Sequence, residues 1–214
     1  MDGDIAPLAD IFGIAEQYSA LVMVDDCHAT GFIGKRGRGV EETIGRIGAV
    51  DILNSTLGKA LGGAMGGYTT GSRQLIELLR QRSRPSLFSN SLPPSVVGSA
   101  LKALELLMED GNTFAANLRT NVSRFRTKMS DAGFNVLGNP EHPICPILVG
   151  DAKIVSEMAD GMLAERIYVI GFSYPVVPKG MARIRVQISA AHSEAQIDEC
   201  IAAFIKIGKR FGVI

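Results

Sequence analysis

Thr56-Leu57-Gly58-Lys59-Ala60-Leu61-Gly62-Gly63 sets one lysine in a glycine-rich turn, directly after a short apolar strand, Asp51 to Thr56. A lysine at the end of a buried strand, pressed among small residues, is a candidate for chemistry. Desolvation lowers the pKa of its amine, and a neutral amine attacks a carbonyl carbon. That is the requirement for a Schiff-base lysine. The alternative is a surface lysine in a flexible turn. Six glycines lie between Gly58 and Gly71 inclusive, and so many invite close backbone approach, which argues against a casual turn. A phosphate-cradling P-loop is excluded. Leu53, not glycine, stands five residues before Gly58, and Ala60 replaces the Ser or Thr that would follow the lysine.

Upstream lies Val24-Asp25-Asp26-Cys27-His28, a second strand ending in acid and imidazole. Asp-Asp-x-His also suggests a metal site, but no further ligand group lies nearby, so none is expected. A strand-end acid capping the next turn is the plainer alternative. The two motifs together say more. Ligands of open α/β sheets bind beyond the carboxyl ends of strands, and Asp25 and Lys59 both belong at such ends. An acid at one strand end and an amine at the next suggest pyridoxal 5'-phosphate (PLP). The acid would keep the ring nitrogen protonated while the lysine takes the aldehyde.

Other residues are open to two readings. The Thr56 hydroxyl can donate to a phosphate or bond the local backbone. Ser89-Asn90-Ser91, between Phe88 and Leu92, is a phosphate contact or an ordinary loop. Arg183 and Arg185 share a strand face, where a guanidinium can grip a carboxylate bidentately or form a surface ion pair. Arg80, Arg82 and Arg84 read as a solvated helix face rather than an anion site. His142 and His192 read as structural, and nothing marks Cys27 as a nucleophile.

The 214 residues suffice for one large domain or two small ones, and 46% are apolar. Lys plus Arg and Asp plus Glu both number 22, so no global field favours nucleic acid or a charged membrane. No apolar run is long enough to span a bilayer. The acidic start, Met1 to Asp4, lacks a signal-peptide core or an Arg-rich transit pattern. Cys27, Cys145 and Cys200 are scattered, which fits a reducing compartment.

Periodicity predicts a helix over Pro7 to Tyr18 and a strand at Leu21-Val22-Met23-Val24, whose continuous apolar run implies cover on both faces. Further strands are expected at Asp51 to Thr56 and Gly66 to Gly71, then a helix capped by Ser72. Two helices follow, Ser95 to Met108 and Thr113 to Ala132. The tail reads as strand Pro143 to Val149, helix Ile154 to Ala164, strand Ile167 to Phe172, strand Ala182 to Ser189 with one polar face, and helix Glu194 to Phe211. A domain boundary is placed near residue 97, giving 1–97 and 98–214. The first part looks incomplete, because about three strands make a small sheet for two covered faces.

Four ordered motifs resemble the α-oxoamine synthase family of PLP enzymes. They are Val24 to Gly31, Thr56 to Gly63, Phe88-Ser89-Asn90-Ser91-Leu92-Pro93-Pro94, and Arg183-Ile184-Arg185-Val186-Gln187-Ile188-Ser189-Ala190-Ala191-His192. The segment Leu79 to Pro85 is similar to members that join glycine to acetyl-CoA. The resemblance implies a fold type I PLP-dependent transferase: an α/β chain carrying part of the large domain's mostly parallel sheet and a small α+β C-terminal domain. It implies that Lys59 binds the cofactor and shuttles the Cα proton, that Asp25 pairs with the ring nitrogen, and that His28 bonds the ring hydroxyl. Thr56 would hold the phosphate, and Ser89 and Asn90 would reach the cofactor of the second subunit of a homodimer with shared sites. Arg183 would hold the amino-acid carboxylate. The expected reaction interconverts glycine plus acetyl-CoA and 2-amino-3-oxobutyrate plus CoA, in threonine breakdown. Alternatives are a 5-aminolevulinate or 8-amino-7-oxononanoate synthase-like activity, or a silent chain that binds a full-length partner. The animal enzymes imply the mitochondrial matrix; otherwise the cytoplasm is expected. The family's N-terminal half has no counterpart here. The chain therefore reads as a C-terminal part, with Met1 an internal methionine, and alone it is expected to bind PLP weakly.

Overall fold

The computed structural model describes residues 2–63 and 65–214, so the reading of Met1 lies outside the described residues. The chain forms two compact units. One comprises Ala6–Ala115, the other the N-terminal residues through Ile5 with Ala116–Ile214. The boundary read near residue 97 falls in the same helix as this division.

The Ala6–Ala115 unit opens with helix α1 (Leu8–Tyr18), which buries Leu8, Phe12 and Ala15. Strand β1 (Met23–Asp25), a short α2 (Val40–Thr43), β2 (Ile52–Thr56) and β3 (Gly67–Gly71) follow. The sheet order is β1-β2-β3. β1 and β2 are parallel, with Asp25 opposite Asn54; β3 returns antiparallel to β2. The β2–β3 connection is too short for a helical crossover, so antiparallel pairing follows, and the sheet is mixed. Helix α3 (Arg73–Arg82) starts where Ser72 Oγ accepts from Leu75 N, as the sequence predicts. A short α4 (Arg84–Phe88) precedes α5 (Pro94–Asp131).

Two expectations are corrected here. The Leu21–Val24 run is not covered on both faces: Leu21 and Met23 are 76% and 65% exposed, while Val22 is buried. β1 is an edge strand packed on one side only. The two helices expected between residues 95 and 132 are one, α5, which runs through Asp110-Gly111-Asn112. A helical glycine costs about 1 kcal/mol, less than a break would forfeit in hydrogen bonds and packing.

The second unit holds β4 (Asn135–Val136), β5 (Ile144–Gly150), α6 (Ala152–Ala164), β6 (Ile170–Phe172), β7 (Ala182–Gln187) and α7 (Glu194–Arg210). Its sheet runs β4-β5-β7-β6, antiparallel throughout. Helix α6 packs on β5, β6 and β7 and against α7. Phe125, Met129, Ile147, Met158, Met162, Ile184 and Phe204 form the core. Asp151 caps α6, and Ser193 with Gln196 forms a capping box on α7. The buried Arg126 donates to the carbonyls of Leu137, His142 and Ile144, tying α5 to the loop before β5. The polar face expected on β7 is not a solvent face, since Arg183 is 7% exposed.

On the surface of this unit Asp198 accepts from Arg124 Nη2 and Lys128 Nζ, both at 2.6 Å. The Arg124 hydrogen bond, then that of Lys128, holds its carboxyl well below the usual range. A depressed acid contributes stability that is present above its unfolded pKa and lost as pH falls through the folded value. Urea midpoints of the chain and of Asp198→Asn are therefore expected to differ at neutral pH and to converge in strong acid.

Candidate functional site

Because β1 and β2 are parallel neighbours, their carboxyl ends open on the same edge of the sheet. Asp25 is the last residue of β1, and the loop carrying Lys59 leaves the end of β2. That loop is closed by its own backbone: Leu57 N donates to Gly66 O (2.9 Å), Gly63 N to Leu57 O (2.7 Å) and Gly62 N to Lys59 O (3.1 Å). A Cβ at Gly63 would lie 2.9 Å from Leu57 O and 3.0 Å from Ala100 Cα, so only glycine fits there.

Asp25 is exposed at this edge. Its Oδ1 accepts from Cys27 N (3.0 Å), and its Oδ2 from Asn54 Nδ2 (3.4 Å). The Cys27 thiol's hydrogen bond, then the Cys27 amide, hold its carboxyl below the ordinary value against the opposing effect of burial, with smaller help from Asn54 and from the positive charge of Lys59. Asp26 faces the other way, 1% exposed. It accepts from Thr30 Oγ1 (2.7 Å) and Val40 N (3.2 Å), and burial pushes its carboxyl up. Of the acid pair, one carboxylate is offered to the edge and the other fastens the following loop.

Lys59 is exposed, which corrects the expected burial. Thr56 donates its hydroxyl proton to Gly66 O (3.0 Å) and accepts from Gly58 N (3.2 Å), so the loop already uses it. His28 is half-buried in the turn after β1. Ser89 and Asn90 are exposed at the end of α4, Asn90 with φ 63°. Asp25, Cys27, Asn54, Thr56 and Lys59 thus cluster about two strand ends. Among the described residues no group of three or more His, Cys, Asp or Glu side chains could hold a metal ion.

The two arginines of β7 belong to the other unit. Arg183 is committed: its Nε donates to Met181 O (3.0 Å) and its Nη1 meets Asp2 Oδ1 at 3.4 Å. Arg185 lies with its guanidinium 4.7 Å over the Phe172 ring. Its buried Nε has no hydrogen-bond partner among the described residues. With Tyr168, Gln187, His192 and Cys200 it lines a cleft of about 580 Å³. The sequence reading missed Asn54, hidden as one polar residue in a strand, and put Arg183 before Arg185.

The donor set suits PLP. An ionised, exposed carboxylate has acceptor positions left over for a protonated ring nitrogen, and a primary amine stands at the neighbouring strand end for an aldehyde.

The family model for aminotransferase class I and II matches residues 1–204. The mitochondrial 2-amino-3-ketobutyrate coenzyme A ligase of Mus musculus is 63% identical over 214 residues, 100% of this chain and 51% of the mouse protein. The 2-amino-3-ketobutyrate coenzyme A ligase of Escherichia coli K12 is 52% identical over 100% of this chain and 53% of its own length. A lysine-to-alanine variant of serine palmitoyltransferase from S. paucimobilis, with bound PLP–myriocin, superposes with a TM-score of 0.93 at 32% identity, covering 100% of this chain and 54% of that one. The chain spans about half the length of the relatives it matches.

Proposed function

Since the chain belongs to the aminotransferase class I and II family and has the fold type I architecture of PLP-dependent transferases, we propose that it carries the lysine and carboxylate of a PLP-dependent glycine C-acetyltransferase. The reaction interconverts glycine plus acetyl-CoA and 2-amino-3-oxobutyrate plus CoA. The mouse relative, a mitochondrial enzyme, supports this substrate pair and a mitochondrial location. The observation that carries the reading is the placement of Asp25 and of the Lys59 loop at the carboxyl ends of adjacent parallel strands.

When bound, PLP supplies an electron sink for negative charge at the amino acid's Cα. Lys59 binds the cofactor's aldehyde carbon and later moves a proton at glycine Cα. Asp25 holds a proton at the ring nitrogen, and His28 reaches the ring hydroxyl. Ser89 and Asn90, both exposed, serve the site of a second copy in a homodimer. Thr56 serves the phosphate only by giving up the Gly66 carbonyl.

The substrate carboxylate is better assigned to Arg185 than to Arg183, because an unspent guanidinium is what a carboxylate needs. Arg183→Ala is expected to lower stability by about 1–3 kcal/mol through lost buried hydrogen bonds, while Arg185→Ala leaves the urea midpoint nearly unchanged. The reverse result would return the role to Arg183.

The test of the whole reading is chemical. PLP is added to the chain, the adduct is reduced with borohydride, and the modified lysine is located by mass spectrometry. Lys59 is expected to carry the label ahead of every other lysine; random labelling would end the reading. A second reading is favoured by the exposure of Lys59, Leu21 and Met23: a chain silent alone that completes its site on a full-length partner. Labelling at Lys59 that rises when such a partner is added would distinguish it.

A further inference from the structure

We propose that Cys27, through its backbone amide and thiol, and Asn54, through its side-chain amide, are positioning residues that clamp Asp25 and fix its carboxylate in direction. The proposal rests on the reading of Asp25 as the group facing the ring nitrogen.

The clamp comes from two independent pieces of chain. The turn after β1 brings the Cys27 amide to Oδ1 at 3.0 Å. The neighbouring strand β2, in register with Asp25 opposite Asn54, brings the Asn54 amide to Oδ2 at 3.4 Å. The same amide lies 3.9 Å from Cys27 Sγ, so the two donors are also joined to each other. Asparagine is disfavoured in a strand, and its position opposite Asp25 gives it a use. Asp25 is exposed, and an exposed carboxylate otherwise turns freely about its last torsion. Held from both sides, it presents its remaining lone pairs in one direction.

Ionisation follows from the same contacts. Hydrogen bonds to the charged form favour it, and the thiol of Cys27 is pushed up by burial and by its bond to Asp25. The charged groups that face Asp25 are Lys59, which favours the anion, and the adjacent Asp26, which opposes it but is turned to Thr30 and Val40. A carboxylate stabilised in this way is a weak base. It therefore leaves a shared proton on the ring nitrogen rather than drawing it off. Without the clamp the carboxylate is free to turn away from that proton.

The experiment uses the 214-residue chain without cofactor. The Asp25 side-chain carbon is followed by ¹³C NMR against pH, its signal identified by its loss in Asp25→Asn. In the unaltered chain the midpoint is expected below the ordinary carboxylate value. Cys27→Ala with Asn54→Val, which removes the thiol and the Asn54 amide but leaves the backbone donor of residue 27 in place, should shift it upward, and Cys27→Ser, which keeps a side-chain donor, should leave it low. Circular dichroism and urea midpoints show that each variant is folded; valine at 54 suits a strand. An Asp25 midpoint that stays put in the folded double variant overturns the role of the two side chains. PLP labelling of Asp25→Ala separately tests the underlying reading. Labelling of Lys59 that survives undiminished removes Asp25 from the cofactor, whatever the titration shows.

Discussion

Lys59→Ala is expected to reduce borohydride-fixed PLP to the background of the remaining surface lysines, and to remove acetyl transfer in any preparation of the chain that has it. Two losses combine. The aldehyde carbon has no amine to attach to, and the proton at glycine Cα has no base. The second loss alone is worth about 100- to 10,000-fold in rate. Lys59→Arg should fare no better in covalent capture, since a guanidinium keeps the charge but is not deprotonated in proteins. It would, however, preserve the positive charge felt by Asp25, the least of the influences on that carboxyl, so the Asp25 midpoint should move little in either variant. A Lys59→Ala chain that still fixes PLP at one dominant lysine would place the site elsewhere.

The second large effect is on stability. Phe204 of α7 has no exposed surface. It meets Phe125 edge-on at 6.3 Å between ring centroids and Phe134 at 6.0 Å. Phe204→Ala removes a ring packed edge-on against Phe125 and Phe134 and leaves a cavity in the buried core. A loss of about 3–5 kcal/mol is expected, read as a lower urea midpoint with little change in slope. Phe204→Leu, which keeps most of the volume, should cost much less. An alanine variant within about 1 kcal/mol of the parent would mean that the cavity collapses, at the low extreme for a buried aromatic.

The positions of Asp25 and Lys59 were legible in the sequence for a topological reason. Two apolar strands in an α/β chain pair in parallel, and parallel pairing forces their carboxyl ends onto one edge. The cap at Ser72, and most strands of the second unit, were legible from local patterns. What was not legible depended on tertiary surroundings. The run Leu21 to Val24 says that a strand is apolar, not what covers it, and Met23 proved exposed. Arg183 and Arg185 alternate onto one face and are equivalent by periodicity; only Asp2 and the Met181 carbonyl, remote in the sequence or turned back upon it, tell them apart. Asn54 carries no motif, and its use emerges only from the register that sets it opposite Asp25. The two helices expected over 95–108 and 113–132 are one, because the helix-forming residues on either side carry α5 through Gly111.

The near-touch between Gly63 and Ala100 gears the loop that bears position 59 to a helix. That loop has no slack on this side, so displacement of the first turns of α5 is passed on to it. Residue 100, a position with no chemistry of its own, thus becomes a lever on the loop, and a single added methylene there would act as a shim against Gly63.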